Sequence, residues 1–122
     1  MSFPWKAKNA RNAHEISERR TMNCFTAAAS AAHLVENLLV AVKYAGNRKM
    51  IMAKSRLADA ALNAADLSKA ASHSVRKEAR KLSNKIFGLV NRPGSPVSIQ
   101  EVIGLRKKAN ALKDATITDC RR

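Results

Sequence analysis

The sequence predicts an all-α protein, and three observations support that fold class. Apolar residues recur every three or four positions through most of the 122-residue chain, which is the spacing of one helix face at about 100° per residue. The chain is rich in alanine and holds three prolines and four glycines. Alternating β-branched runs, which favour strands, are nearly absent. We therefore expect an antiparallel long-helix hairpin, or a three-helix bundle with an additional C-terminal helix.

The first helix is expected to begin near Lys6 and to run to about Ala45, because neither proline nor glycine interrupts this stretch. Gly46 and Asn47 should then end it, with Gly46 free to take the left-handed conformation that often follows a helix. The core-facing stripe of this helix is expected to consist of Phe25, Ala28, Ala32, Val35, Leu39 and Val42, widened by Leu38.

A second long helix is expected from about Arg48 to about Asn91, where the sequence Arg-Pro-Gly-Ser-Pro at 92–96 breaks it. One side of this helix is apolar and the other side is basic. The apolar stripe consists of Leu57, Ala61, Ala64, Ser68, Ala71, Val75, Ala79, Leu82, Ile86 and Leu89.

A further helix is expected from Ile99 to about Ala115, because Ser98 and Glu101 form a capping box at its start. Residues 116–122 are expected to be a tail. We divide the chain into a basic helical hairpin or bundle over residues 1–92 and a C-terminal helix and tail over 93–122, and expect the first unit to fold without the second. The apolar face of the C-terminal helix is expected to consist of Val97, Ile99, Val102, Ile103, Leu105, Ala109 and Leu112.

The charge of the chain indicates a polyanionic partner. Lys and Arg total 23 against nine acidic residues, a net charge of +14. Residues 47–92 carry eleven basic and three acidic side chains, whereas residues 21–46 carry one of each. In a hairpin, the basic arm at 6–20 would lie beside the basic part of the second helix. The expected RNA-binding residues are Lys6, Lys8, Arg11, Arg19, Arg20, Lys69, His73, Arg76, Lys77, Arg80, Lys81 and Lys85.

A basic helix face is often only a solvated surface, and that alternative must be weighed. Here few acidic residues lie among the cations, and the pairs Arg76-Lys77 and Arg80-Lys81 place like charges four residues apart. Each such pair destabilises a helix by a few tenths of a kcal/mol. A binding function is therefore the more economical explanation of this pattern.

Several other functions find no support in the sequence. His14, His33 and His73 are too far apart for close metal-ligand spacing, so no metal is expected. A glycine-rich phosphate loop, a Ser-His-Asp order and paired carboxylates on one helix face are all missing, so we expect neither an enzyme, a cofactor nor a small-molecule substrate. No stretch reaches the roughly 18 uninterrupted apolar residues of a membrane span, so no membrane partner is expected.

The two cysteines, Cys24 and Cys120, are far apart in the sequence and belong to no recognisable motif. We expect free thiols in a reducing compartment in preference to a disulfide or a shared metal ion.

Three stretches of the chain resemble the bacterial-type ribosomal protein S-twenty of the small subunit. The opening Lys-Ala-Lys-Asn-Ala-Arg at 6–11, with Glu15 and Arg19-Arg20, is similar to the cationic start of that family. The sequence at 40–47 looks like its first hairpin. Residues 69–86 resemble the signature in which a His is followed by Lys, Asn, Ala-Ala-Arg and a further Lys before Leu, with Val75 in place of the Asn. The resemblance covers about residues 6–88, and 93–122 have no counterpart in it.

The resemblance implies a basic helical protein whose N-terminal helix threads into ribosomal RNA. The leading hypothesis is a structural ribosomal-RNA-binding protein of a small ribosomal subunit in mitochondria, in which cations bridge phosphates of neighbouring RNA helices. Neighbouring ribosomal proteins would bind the C-terminal helix. The alternative is a small phage- or plasmid-type modulator in a bacterial or host-cell cytoplasm, which would bind an acidic surface or a nucleic-acid channel of a larger complex. A DNA-compacting role is weaker, because a helix-turn-helix signal is missing.

Overall fold

The computed structural model describes residues 22–94 and 96–121, and this part of the chain forms four helices and no strand. The all-α prediction is confirmed. The helices are α1 (Cys24–Gly46), α2 (Met50–Ala70), α3 (His73–Val90) and α4 (Ile99–Cys120). α1 packs against α2 and α4, and α3 packs against the same two helices. Short connections make neighbouring helices antiparallel. The helices therefore form a closed four-helix bundle, in which the contact between α3 and α4 is the least extensive.

One hydrophobic core runs through the bundle and takes side chains from every helix. The apolar stripe that was predicted for residues 57–89 is confirmed, because all ten of its members are buried. The largest fully buried side chains of the core are Leu34, Leu38, Leu57, Leu67, Ile86, Val75 and Val102.

The start of α1 differs from the prediction of one helix running from Lys6 to Ala45. Asn23 has an extended backbone (φ −94°, ψ 95°), and its side chain accepts a hydrogen bond from the Thr26 backbone N–H at 3.0 Å. Asparagine is a favoured N-cap because its oxygen satisfies one of the free N–H groups of the first turn. The helix therefore begins at Cys24. Residues before Met22 lie outside the described part of the chain.

The stripe that was predicted for α1 is correct only in part. Leu38 is fully buried, and Val35 and Val42 are half-buried against the core. Ala28 and Leu39 are also half-buried, whereas Ala32 is exposed and Phe25 is 85% exposed. The face that enters the core is rotated around the helix from the predicted one. It consists of Ala27, Ser30, Ala31, Leu34, Leu38, Ala41 and Ala45.

The predicted second helix is interrupted at residues 71–72, which separate α2 from α3. The Ala71 backbone is extended, with ψ at 172°, and so is that of Ser72. Contacts from distant segments hold this break. The Asn23 backbone N–H donates to the Ala70 carbonyl at 3.1 Å, and the Ser72 hydroxyl hydrogen-bonds the Asp119 carboxylate of α4. Residues 22–92 therefore form three helices, which agrees with the predicted three-helix bundle and not with the predicted hairpin of two long helices.

The turn between α1 and α2 lies where it was predicted, but its left-handed residue is different. α1 ends at Gly46, as expected, while Arg48 takes the positive φ of 60°. Such a backbone is uncommon for a residue with a Cβ. The Lys49 backbone N–H donates to the Tyr44 carbonyl at 2.8 Å, which closes the turn.

α4 begins at Ile99, as the capping box predicted, and the Ser98 backbone N–H donates to the Glu101 carboxylate at 3.3 Å. The helix continues to Cys120, so the prediction of a tail from residue 116 is wrong for the described residues 116–120. The cause lies in tertiary contacts. Thr116 is fully buried in the bundle, and the Asp119 carboxylate accepts a hydrogen bond from the Ser72 hydroxyl at the break between α2 and α3. Five α4 residues enter the common core or its edge: Val102, Leu105, Ala109, Leu112 and Thr116.

By length and composition alone, α1 is apolar enough to cross a membrane, with a mean hydropathy of 1.4 over its best window. Core helices of other bundles meet the same criterion. Here one side of α1 packs against α2 and α4, and 33% of that window is buried inside the bundle.

Candidate nucleic-acid interface

α3 separates its apolar and basic residues onto two faces. Its buried residues are Val75, Ala79, Leu82, Ser83, Ile86 and Leu89. The opposite face exposes His73, Lys77, Arg80, Lys81 and Lys85, five of the residues that were predicted to bind RNA. The buried row fixes the orientation of the helix, so this basic row points to solvent.

Arg76, which was predicted to join this row, lies elsewhere. Its side chain is half-buried, and its guanidinium donates to the Ala71 carbonyl at 3.3 Å. This contact satisfies a carbonyl at the break between α2 and α3. Arg76 therefore stabilises the break, and the basic face of α3 begins at His73 and Lys77.

Lys69 of the neighbouring α2 was also predicted to bind RNA, and it is exposed in the last turn of that helix. It lies four residues before His73, on the other side of the break at residues 71–72. The predicted arm residues Lys6, Lys8, Arg11, Arg19 and Arg20 lie outside the described residues.

α4 adds exposed cations next to this row. Lys108 lines the same cleft as Lys85 of α3, and the adjacent Lys107 is exposed on the outer side of α4. A neutral Lys85 amine can accept a hydrogen bond from the Lys108 ammonium, and two ammonium groups repel each other. Both effects of Lys108, with a smaller contribution from desolvation, lower the pKa of Lys85 from its ordinary value.

We call this combined region the α3–α4 basic surface. The sequence did signal its α4 part, since Arg106, Lys107 and Lys108 are consecutive. The sequence could not place Lys108 against Lys85, because that depends on how the two helices pack. The members of the surface are His73, Lys77, Arg80, Lys81, Lys85, Lys107 and Lys108.

Carboxylates neutralise little of this surface. Within residues 22–94 and 96–121, Glu78 pairs with Lys81 at 3.5 Å and Glu101 pairs with Arg92 at 3.3 Å. The Glu78–Lys81 pair is more than half exposed, and an exposed pair of this kind stabilises a helix only weakly. In the same described part of the chain, no ion pair involves Lys77, Arg80 or Lys107.

Two clefts lie along the seam between α3 and α4 and meet at Lys85 and Lys108. One has a volume of about 280 Å³ and the other a volume of about 340 Å³. Leucines of both helices line them, with lysines at the rim. The seam is open here because α3 and α4 touch less extensively than the other neighbouring helices.

The apolar face of α4 is occupied inside the bundle. Val102, Leu105, Ala109 and Leu112 are buried in the common core. A partner protein that bound α4 would therefore contact its outer, charged side.

The expectation of free thiols is wrong in this structure. Cys24 and Cys120 form a disulfide, with a Cα–Cα distance of 5.7 Å. The sequence placed these cysteines 96 positions apart, and only the return of α4 alongside α1 brings them together. The disulfide joins the first residue of α1 to the last residue of α4.

Comparison with known protein families, with curated proteins and with solved structures gives no match for this chain.

Proposed function

We propose that this protein binds RNA through the α3–α4 basic surface. The observation that carries the proposal is the accumulation of exposed cations on two adjacent helices, which carboxylates neutralise only in part. Cations that are held close together repel each other and destabilise the folded protein. RNA phosphates that lie between them would remove this repulsion. Binding would release counterions from the RNA backbone and would therefore weaken as salt is added.

The side chains of the α3–α4 basic surface favour contact with the RNA backbone over recognition of bases. Its side chains are lysines, one arginine and one histidine, with no aromatic Phe, Tyr or Trp among them. Lysine acts as a compact point charge, so it contacts phosphates without selecting a sequence. The protein would therefore recognise how phosphates of folded RNA are spaced.

The narrower form of the proposal is a structural protein of a small ribosomal subunit in mitochondria. The resemblance to the S-twenty family supports this form. The described bundle includes α4, which lies in residues 93–122, the part of the chain that has no counterpart in the resemblance. Disulfides are rare in reducing compartments. The Cys24–Cys120 bond therefore counts against the ribosomal form and leaves the general RNA-binding form unaffected.

The test is the salt dependence of RNA binding, measured by fluorescence anisotropy on a labelled, folded RNA. The variant Lys77→Gln/Arg80→Gln/Lys81→Gln removes three cations from the centre of the surface. We expect weaker binding. The slope of log K against log salt should also become shallower by about 0.7–0.9 for each phosphate that the variant no longer neutralises.

A charge-matched control removes Lys43, Lys49 and Arg121, which are exposed but lie outside the surface. This control should change the slope much less than the α3 variant does. Equal slopes for the two variants would reject the surface, and no binding by the unmodified protein would reject the RNA-binding function itself.

Co-sedimentation separates the ribosomal form from the modulator alternative. A ribosomal protein stays with the small subunit through a moderate salt wash, whereas a modulator purifies with the enzyme complex that it regulates.

A further inference from the structure

The centre of the α3–α4 seam is the place where like charges come closest. Lys85 extends from α3 and Lys108 from α4, and each lines both of the clefts that meet there. The neighbouring Lys108 lowers the pKa of Lys85 from its ordinary value, as a second ammonium group close to it does. Two neighbouring ammonium groups repel, so the free protein carries an electrostatic cost at this point.

The charged groups around this pair do not remove the cost. Among the described residues, Glu78 lines one cleft and Glu101 lines the other. Glu78 pairs with Lys81, and Glu101 pairs with Arg92. Each cleft therefore has a carboxylate that already has a cationic partner, and the Lys85–Lys108 pair is left with an excess of positive charge.

The floor of the clefts is apolar, and the two lysines are exposed above it. Leu82 and Leu112 lie under one cleft, and Leu89 and Leu105 lie under the other, all of them less than a tenth exposed. The floor offers no carboxylate that would repel an anion. An anion at the open side can therefore accept charge-assisted hydrogen bonds from both ammonium groups.

From this geometry we propose that the seam is a phosphate site, in which Lys85 and Lys108 together clamp one phosphate group. The identification of that group as a phosphate of the RNA backbone rests on the proposed function. A tetrahedral anion between two ammonium groups accepts hydrogen bonds from both and replaces their repulsion by two attractions. Lys81 and Arg92, at the two sides of the pair, would orient the neighbouring phosphates along the seam.

The first experiment uses inorganic phosphate as the probe and needs no RNA. Thermal unfolding is followed in phosphate and in chloride at equal ionic strength, since a ligand that binds the folded state raises the melting temperature. We expect phosphate to stabilise the unmodified protein. In the variant Lys85→Gln/Lys108→Gln, the apparent dissociation constant for phosphate should rise about tenfold or more, as the loss of charge-assisted hydrogen bonds implies.

The matched control is Lys77→Gln/Lys107→Gln, which removes two exposed cations from the same two helices outside the clefts. It should keep most of the phosphate response. Equal losses in the two double variants would overturn the site, because they would show that phosphate binding depends only on the total charge of the protein. No stabilisation of the unmodified protein by phosphate would also overturn it.

A second pair of variants tests the site without removing a lysine. Gly104 lines one cleft four residues before Lys108, and a Cβ at this position would meet nothing within 4 Å. In Gly104→Glu, the new carboxylate can pair with Lys108 on the same helix face. Phosphate should therefore bind Gly104→Glu more weakly than Gly104→Gln, which has the same size without the charge. Equal binding would contradict the proposal.

Anisotropy with labelled RNA on the same variants separates this inference from the proposed function. The RNA control is Lys43→Gln/Lys49→Gln, which removes two exposed cations outside the α3–α4 basic surface. Loss of RNA affinity in Lys85→Gln/Lys108→Gln beyond that in this control assigns the clamped group to RNA. A phosphate response without any RNA binding would retain the site, reject the proposed function, and identify a free phosphate compound as the ligand. RNA binding without a phosphate response would reject the clamp and leave the proposed function in place.

Discussion

α1 and α3 are both core helices of one bundle, but they present opposite kinds of outer surface. α3 is apolar on its buried side and basic on its exposed side. α1 is apolar on its buried side and still largely apolar outside, where Phe25 is 85% exposed. A helix with one apolar face can be oriented from sequence, whereas a helix with two apolar faces cannot. Of the two helices, only α3 exposes a row of cations, so the side of the bundle that α3 forms is the side suited to a polyanion.

Removal of α4 should have the largest effect on both helices. α4 packs against the inner face of α1 and shares the seam with α3. The sequence led us to expect that residues 1–92 would fold without it. Because α4 places Val102, Leu105 and Leu112 in the common core, we now expect the fragment 1–92 to lose cooperative unfolding. Circular dichroism during heating measures this. A sharp transition near that of the full chain would show that α4 is an accessory helix.

A single core substitution sharpens the comparison within α1 itself. Leu34 is fully buried and Phe25 is mostly exposed, although both are large apolar residues of one helix. Leu34→Ala should cost about 2–5 kcal/mol in the free energy of unfolding, because it leaves a cavity. Phe25→Ala should cost less than about 0.5 kcal/mol. Urea denaturation of both variants checks this, and the reverse order would restore the stripe predicted from sequence.

The disulfide links α1 to α4, whereas α3 contains no cysteine and takes no part in a cross-link. Cys24 and Cys120 are 96 residues apart, so their bond restricts a large loop of the unfolded chain. Reduction, or the double change Cys24→Ser/Cys120→Ser, should cost about 2–4 kcal/mol. Denaturation with and without a reducing agent measures it, with the double variant as the control that reductant should not affect. Two free thiols in the native, unreduced protein would contradict the bond.

The smallest expected effect concerns Lys85, whose pKa is lowered mainly by Lys108. Because its folded pKa lies below its unfolded pKa, protonated Lys85 destabilises the fold to the full extent below the folded pKa. This cost falls as pH rises from the folded pKa towards the unfolded pKa and is absent above the unfolded pKa. Lys85→Gln should therefore melt slightly higher than the unmodified protein at neutral pH, and the difference should shrink as pH approaches 10.5.

Lys77→Gln is the control for this measurement, because it removes one charge from the same helix away from Lys108. It should gain less stability at neutral pH than Lys85→Gln does. A Lys85→Gln variant that melts below the unmodified protein at neutral pH would show that the two lysines do not repel.

Much of this structure was predictable from local sequence, and the parts that were not depend on distant contacts. The core residues within 57–89 and the start of α4 at Ser98 follow from periodicity and capping. The break at residues 71–72 contains no glycine or proline, and it is held by Asn23 and Asp119 from distant segments and by Arg76 of the helix that follows it. Asn23 itself was a recognisable N-cap that the uninterrupted helical pattern obscured.

The candidate site divides in the same way. Lys77, Arg80, Lys81 and Lys85 were predictable because they lie opposite an apolar row of one helix. The diversion of Arg76 to the Ala71 carbonyl was not predictable, and neither was the approach of Lys108 to Lys85. Both depend on the packing of helices that the sequence alone did not orient.

The measurement that tests the central claim most directly is an NMR titration of the isotope-labelled protein with a folded RNA. It compares the two outer surfaces in one experiment. We predict that chemical-shift changes concentrate at residues 77–85 of α3 and at Lys107 and Lys108 of α4, while His33 and Glu36 of α1 stay unchanged. Changes centred on α1, or spread evenly over the bundle, would contradict the assignment of RNA binding to the α3–α4 basic surface.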